Sequence, residues 1–505
     1  MNLVSYLLEY ADRAAIALIT PEGTYTYGEI IDASSTVGKS LLELGVSKGD
    51  RVGILADNSL FWIASYLGTI QIGAVAVPFP KTLEPARFSM TCRSIKCRAH
   101  MAQPQYLERY ATVLPSDIPV FTDHIPTYLN SLSIDPILIQ FESVACGIEP
   151  VNESRDLAAL MFTSGSTGVP RAVMVSHRNV MANTESISSY LNLKVNDRIM
   201  CVLPFYYCFG TSLLHTHLRR GASLVLNDFW PANIMLEELK RWECTGFAGV
   251  PSIFQVLLRN SNFTDQSYPH LRMIQQAGGK LAPAFIKEIL DTFPETDLFI
   301  MYGQTEATAR LAYLEPTMAA AKLGSIGRAI PSVRLRIIDS SGQELGANRV
   351  GEIEAEGDNI TLGYWNDPDA TTQTFVDGKL RTGDLGYYDD DGYFYIVDRA
   401  KDFIKSRGIR FSSQEVEERV LTHPDVVEVA IIGEPHQLLG EAVILFVVLA
   451  QNLFLSERDI KVYCRQSGMP KYMIPKKVIF LSSLPKNEYG KVLKSALRKE
   501  FKQWL

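Results

Sequence analysis

Phe162-Thr-Ser-Gly-Ser-Thr-Gly-Val-Pro-Arg171 concentrates more chemistry than any other stretch of this 505-residue chain. Thr163 to Thr167 are all hydroxyl residues or glycine, and Gly168, Pro170 and Arg171 follow. Such a loop offers backbone N–H groups, hydroxyls and one guanidinium to an anion, and a polyphosphate suits that set of donors. An ordinary surface loop rich in Ser and Gly is the plain alternative. A P-loop is excluded, because that motif ends in Gly-Lys-Ser/Thr and opens a helix. Here Gly168 is followed by Val-Pro-Arg, and Val173-Met-Val175 reads as a strand.

Other residues could work beside it. Gly278-Gly-Lys280 follows a strand and would let the backbone approach a ligand closely, or simply make a turn. His215-Thr-His217 has no third metal ligand nearby in sequence, so both are read as helix or pocket residues.

These residues need elements to hold them. The chain is too long for one core and suggests two or three units. Strand-like runs alternate with helical patterns through the first 300 residues. Arg51–Leu55 follows a helix near Ser40–Leu44; Ala222–Leu226 precedes a helix at Met235–Trp242. Thr245–Gly249, a helix at Ser252–Arg259 and Met273–Gln276 continue the pattern. This predicts an α/β fold of layered, largely parallel sheets. From about Ser325 short strands (Val333–Ile338, Gly351–Glu356, Tyr393–Val397) suggest a small antiparallel, barrel-like unit. From Asp398 the charge density rises. Ser412 can cap a helix from Ser413 to Leu421, and Val426–Ile432 and Ala442–Leu449 are strand-like, giving a small α+β domain. The expected division is 1–397, with the barrel-like unit at about 325–397, and 398–505.

Composition limits the function classes. The net charge of −7 without a basic stripe argues against general nucleic-acid binding. Seven scattered cysteines without zinc-site spacing fit a reducing, cytoplasmic setting. Met1 to Tyr10 carries no signal-peptide pattern. Leu60 to Val77 is nearly uncharged, but its glycines and the following Pro78-Phe-Pro80 predict a helix at Phe61–Ile70 and a buried strand at Ala74–Val77 rather than a membrane span.

The loop, read with downstream segments in order, resembles the adenylate-forming superfamily: acyl-CoA synthetases, firefly luciferase and nonribosomal peptide synthetase adenylation domains. The matching segments are Leu203-Pro-Phe-Tyr-Tyr-Cys-Phe-Gly210, Met301-Tyr-Gly-Gln-Thr-Glu306, Arg381-Thr-Gly-Asp384, Asp398-Arg399 with Lys405-Ser-Arg-Gly408, and Gly490-Lys491. They span almost the whole chain. The resemblance implies that a carboxylate attacks the α-phosphate of ATP, expels pyrophosphate and forms an acyl-adenylate. A thiol, of CoA or of a carrier-protein phosphopantetheine, then displaces AMP. Chemistry of this kind asks the protein mainly for positioning and charge neutralisation.

By the same resemblance, Thr163, Ser164, Gly165, Ser166, Thr167, Gly168 and Arg171 hold the β- and γ-phosphates. Tyr302 and Gly303 meet the adenine with Gly278, Gly279 and Lys280; Thr305 takes the α-phosphate, and Glu306 takes Mg²⁺. Asp384 accepts the ribose hydroxyls with Arg399 nearby, and Lys491 bridges carboxylate and α-phosphate. Lys401 falls at the hinge, and Lys405, Arg407 and Gly408 line the thiol channel. The family usually has Lys-Gly where this chain has Arg171-Ala172; Arg still clamps phosphate in bidentate fashion.

Tyr207 stands where many relatives carry His beside the substrate carboxylate. Cys208 stands where peptide synthetases place an Asp for the substrate ammonium. An unpaired ammonium in a closed pocket is costly, which weakens the case for a primary α-amino acid but leaves imino and β-amino acids open. Ser212, Gly249, Gln276, Ala277 and Met301 are expected to complete the pocket wall, their small and polar mix suiting a small or medium acid. A stand-alone amino- or imino-acid adenylation enzyme and a non-catalytic adenylate-binding protein are the competing readings. The second is favoured by Arg171 and Ala172 and opposed by Glu306, Asp384, Arg399 and Lys491 together.

Overall fold

The computed structural model describes residues 1–115, 117–125, 136–163, 171–229, 231–399, 403–451, 453–486 and 492–503. Two sheets carry the first part of the chain, as the alternating pattern predicts. One runs Ile137–Leu138, Val120–Thr122, Ala99–Ala102, Arg51–Leu55, Val75–Pro78, Leu157–Phe162, Ala172–Ser176 in spatial order. Its pairs are parallel except the last, where Phe162 lies opposite Ala172. The other has a parallel centre built from Ile16–Thr20, Ser223–Leu226, Arg198–Cys201, Gly246–Gly249, Met273–Gln276 and Asp297–Tyr302, with antiparallel strands at both edges.

Near-continuous apolar strands of this kind are buried on both faces. Helices supply the cover, among them Leu60–Gln71, His177–Tyr190 and Cys208–Arg220. Leu60–Gln71 is the segment that could be mistaken for a membrane span; eleven of its residues are buried in the core. Among the described residues no helix is long and apolar enough to cross a membrane.

The helix expected near Ser40–Leu44 is much longer, running Tyr27–Glu43. Its start is a capping box, Thr26 with Glu29, and Ser34, Ser35, Thr36 and Gly38 lie inside it. Those residues are poor helix formers, which hid the element. They are small because this helix packs closely on Leu60–Gln71: a Cβ on Gly68 would lie 2.4 Å from Ser34 O, and one on Gly38 3.2 Å from Gly68 O.

The third sheet is wholly antiparallel and supplies the small barrel-like unit. It comprises Val333–Ile338, Gly351–Gly357, Lys379–Tyr388, Phe375–Val376 and Phe394–Arg399. The fourth, in the small α+β C-terminal part, joins Ile409–Ser412, Phe403–Ser406, Gly440–Leu449, Val426–His436 and Lys477–Phe480, with the predicted helix at Ser413–Val420 capped by Ser412.

His215 and His217 lie in helix Cys208–Arg220 and are buried. His215 Nε2 meets the Tyr66 hydroxyl at 3.0 Å, and His217 Nδ1 meets Leu213 O at 2.8 Å. Among the described residues no cluster of His, Cys, Asp or Glu could hold a metal. Burial pushes His100, His177 and His217 down to about 4 and His215 to about 3. These folded values lie below the ordinary ~6.5, so between them the unfolded chain binds more protons. Stability is therefore complete above about pH 6.5 and falls toward pH 4, by up to ~1.4 kcal/mol per pH unit for each group. Urea midpoints are expected to be flat from pH 7 to 8 and to drop steeply between 6 and 4.5. A midpoint unchanged down to pH 5 contradicts neutral burial.

Candidate active site

Parallel strands of the large sheet end at Gly249, Gln276 and Tyr302. The carboxyl ends of such strands are where an α/β sheet leaves a crevice. Ala277 N–H donates to Gly249 O at 3.3 Å, tying neighbouring strand ends together. Gly278 turns the chain with φ of 84°. A Cβ there would stand 2.9 Å from both the Tyr207 hydroxyl and the Val250 side chain, so glycine lets Tyr207 lie against this backbone. Gln276 Nε2 donates to Gly279 O at 2.8 Å, and Lys280 pairs with Glu418 at 2.5 Å.

Tyr302 donates its hydroxyl to Asp384 Oδ2 at 2.7 Å, across from the next sheet. In the strand ladder Asp384 lies opposite Arg399. Gly303 follows because nothing larger fits: a Cβ would fall 1.9 Å from Ala309 O and 2.7 Å from Arg310 Cα. Gly303→Ala is expected to cost about 3 kcal/mol, since backbone must move. The check is the urea midpoint, and an unchanged midpoint would contradict the close approach.

Thr305 donates to Cys208 Sγ at 3.6 Å, and Glu306 Oε1 accepts from the Tyr364 hydroxyl at 2.7 Å. The base of the Ser/Thr/Gly loop joins the same cluster. Thr163 N–H donates to Arg171 O at 3.0 Å, and Arg171 N–H to Thr163 Oγ1 at 3.4 Å. Arg171 Nε donates to Asp367 Oδ2 at 3.1 Å while its guanidinium carbon lies 5.3 Å from the Tyr364 ring centroid. Asp367, Arg171, Tyr364 and Glu306 thus form one line of contacts. The Arg171–Asp367 pair is about half exposed and such pairs contribute only ~0–1 kcal/mol, so Arg171 can exchange it for a phosphate. Ser164, Gly165, Ser166, Thr167 and Gly168 lie outside the described residues, as do Lys401 and Lys491.

Beside Glu306 opens a polar cleft lined by Gln304, Glu352, Tyr364, Thr374 and Arg381. Gln304 Nε2 is buried there without a hydrogen-bond partner among the described residues. A spare amide donor and Arg381 beside the carboxylates of Glu306 and Glu352 fit phosphate oxygens with one Mg²⁺, which takes few protein carboxylates. Tyr364 and Asp367 were not legible in the sequence, because Tyr364-Trp-Asn-Asp367 carries no pattern of its own.

The chain matches the family described as AMP-binding enzyme over residues 8–365, and the AMP-binding enzyme C-terminal domain over residues 415–491. The chain belongs to the AMP-binding enzymes. A long-chain-fatty-acid–CoA ligase of Yersinia pestis is 31% identical over 98% of this chain and 92% of its own length. A 4-coumarate–CoA ligase of Arabidopsis thaliana is 28% identical over 97% of this chain and 89% of its own. Among solved structures, an anthranilate CoA ligase in complex with anthranoyl-AMP superposes with a TM-score of 0.89 at 25% identity, covering 100% of this chain and 98% of that one. The adenylate-forming resemblance read from the motifs is therefore that of the chain's own family.

In this AMP-binding enzyme the expected pocket residues divide into separate groups. Cys208 and Ser212 line a small cavity with Tyr66, Asn183, Thr184 and His215. Tyr207, Gly249, Gln276 and Ala277 gather instead at the strand ends. Met301, expected in the same wall, lies on the other face of its strand from Tyr302, beside Arg310. Successive strand residues alternate faces, and with Tyr302 turned to Asp384, Met301 presents its Sδ to Tyr190 Oη at 3.1 Å and Arg310 Nε at 3.4 Å. Burial pushes the Tyr207 phenol and the Cys208 thiol up, so both are neutral at pH 7. Arg310, unremarked in the sequence, is buried nearby with 2% exposure. Lys405, Arg407 and Gly408 are exposed on a hairpin whose turn residues Arg407 and Gly408 have φ of 52° and 80°.

Proposed function

We propose that this AMP-binding enzyme is an AMP-forming acid–thiol ligase that activates a small or medium carboxylic acid with ATP and passes the acyl group to CoA. Its ligase class is that named for relatives over nearly the whole chain. In the first step an oxygen of the acid attacks the α-phosphorus, the bond to the β-phosphate oxygen breaks, and pyrophosphate leaves. In the second, a thiolate attacks the acyl carbon, the bond from that carbon to the phosphate oxygen breaks, and AMP leaves with that oxygen while the thioester forms.

The observation that carries this reading is the contact line from Arg171 through Tyr364 to Glu306, beside the Tyr302–Asp384 bond. It supports one site with a phosphate-binding end and a ribose-binding end. Arg171 and Thr163 would steady the leaving pyrophosphate with the loop between them. Thr305 would donate to the α-phosphate, and Asp384 would accept from the ribose hydroxyls in place of the Tyr302 hydroxyl. Bound at Glu306, Mg²⁺ would neutralise charge on the phosphate oxygens. Tyr207 would hydrogen-bond the acid, and Lys491 would bridge it to the α-phosphate. The division at 397/398, with rotation about Lys401 bringing the Lys405–Gly408 hairpin to the thiol, belongs to the same proposal.

The test is acid-dependent pyrophosphate exchange across acyl, aryl, amino and imino acids, followed by acceptor assays with CoA and with carrier proteins. Stimulation by no acid would remove the ligase reading. Transfer to a carrier protein in preference to CoA would change the acceptor.

A further inference from the structure

Arg310 is a buried cation with no ion-pair partner among the described residues. It is 2% exposed, its side chain is hydrogen-bonded to the Tyr190 side chain, and among the described residues the groups that act most on its charge are Tyr190, Cys208 and Tyr207. Burial pushes all three of these up, so none is an anion at pH 7. The guanidinium carbon lies 4.0 Å from the Phe209 ring centroid, and Nε points at Met301 Sδ. An aromatic face and a thioether offset only part of the cost of burying a charge.

The backbone holds this residue firmly. Arg310 N–H donates to Asn183 Oδ1 at 3.2 Å, and Arg310 O accepts from Asn183 Nδ2 at 3.0 Å and Asn359 Nδ2 at 2.9 Å. Asn183 itself lines the cavity that Cys208 and Ser212 share. A second positive feature converges on Cys208, the first residue of helix Cys208–Arg220, whose N-cap Tyr207 makes no side-chain cap bond. The first-turn N–H groups carry the positive end of the helix dipole. Where a peptide synthetase has an Asp for an ammonium, this pocket therefore has a neutral thiol backed by a guanidinium.

The geometry points to an acid pocket with an anion-recognising end: the acid carries a second carboxylate, taken by Arg310 beside the first turn of helix Cys208–Arg220, so the substrates are short dicarboxylic acids. This rests on the ligase reading above and names its substrate class. One carboxylate is activated at Tyr207 and Lys491; the other supplies the counter-charge that Arg310 lacks. A planar fork suits a carboxylate in bidentate fashion, and a buried charge site rejects a ligand that leaves it unpaired.

The experiment compares paired probes, succinate, glutarate and phthalate against their monomethyl esters, by pyrophosphate exchange and by calorimetric binding. The expected wild-type preference for at least one diacid over its ester is about 100-fold. Arg310→Met should bring that ratio to within about threefold, and should raise the thermal midpoint of the ligand-free protein, because an unpaired buried charge is gone. The preferred diacid should raise the midpoint of the wild type and leave the variant unmoved. Arg310→Lys, which keeps the charge and loses the fork, should fall between them and decides the matter if Arg310→Met does not fold.

Equal use of diacid and ester by the wild type, or equal loss of both in the variant, overturns the inference. Arg310-dependent diacid binding without exchange by any acid would uphold the anion pocket and sink the ligase reading. Exchange supported by neutral acids, indifferent to Arg310, would do the reverse.

Discussion

Lys491→Ala is expected to lose acid-dependent pyrophosphate exchange by about 10²–10³-fold while ATP affinity changes less than about threefold. On the proposed function, other groups would hold the nucleotide: Arg171 and Thr163 at the loop base, Thr305, Glu306, and Asp384 with Tyr302. What these leave uncovered is the new charge arrangement as the carboxylate oxygen closes on phosphorus. A lysine ammonium between them acts most strongly in the transition state, so its removal lowers the rate far more than the binding. Measuring ATP affinity by calorimetry beside exchange rates separates the two. Near-normal exchange in the variant would remove Lys491 from the chemistry and with it the assignment of the Gly490-Lys491 segment. Thioester formation from a supplied acyl-adenylate should be much less affected, since that step needs no bridge to a phosphate under attack.

Glu306→Gln is expected to lower exchange by about 10²-fold and to raise the Mg²⁺ concentration needed for half-maximal rate. The substitution keeps size and an oxygen able to accept the Tyr364 hydroxyl, so the contact at 2.7 Å can persist. What it removes is the charge. Tyr364→Phe is the companion variant: it removes the hydrogen bond and keeps both the carboxylate and the ring under Arg171. Its loss should be within about tenfold, because a neutral hydrogen bond contributes only ~1 kcal/mol. Equal losses in the two variants, with no change in Mg²⁺ dependence, would make Glu306 only an anchor for Tyr364.

The fold was legible wherever local pattern and local chemistry agree. Met273–Gln276 and Val333–Ile338 form as strands over the predicted residues, and Ser412 caps its helix. Helix Tyr27–Glu43 was mostly hidden, because its small residues answer to the helix packed on it at Gly68 and oppose its own propensity. The candidate site divides in the same way. Tyr302, Glu306, Asp384 and Arg171 stand out by residue type and spacing. Tyr364 and Asp367 do not, because Tyr364-Trp-Asn-Asp367 carries no pattern of its own.

By itself the sequence determined the family and the order of its segments, because short motifs kept in order across the whole chain together carry a resemblance that none of them carries alone. The tertiary structure decided which residues share a site. Arg171 meets Asp367 across 196 positions of chain, and Tyr302 meets Asp384 across 82. It also made Arg310 a buried charge: an arginine in a sequence is a solvated cation until packing takes the water away, and only packing shows that no described acid pairs with it.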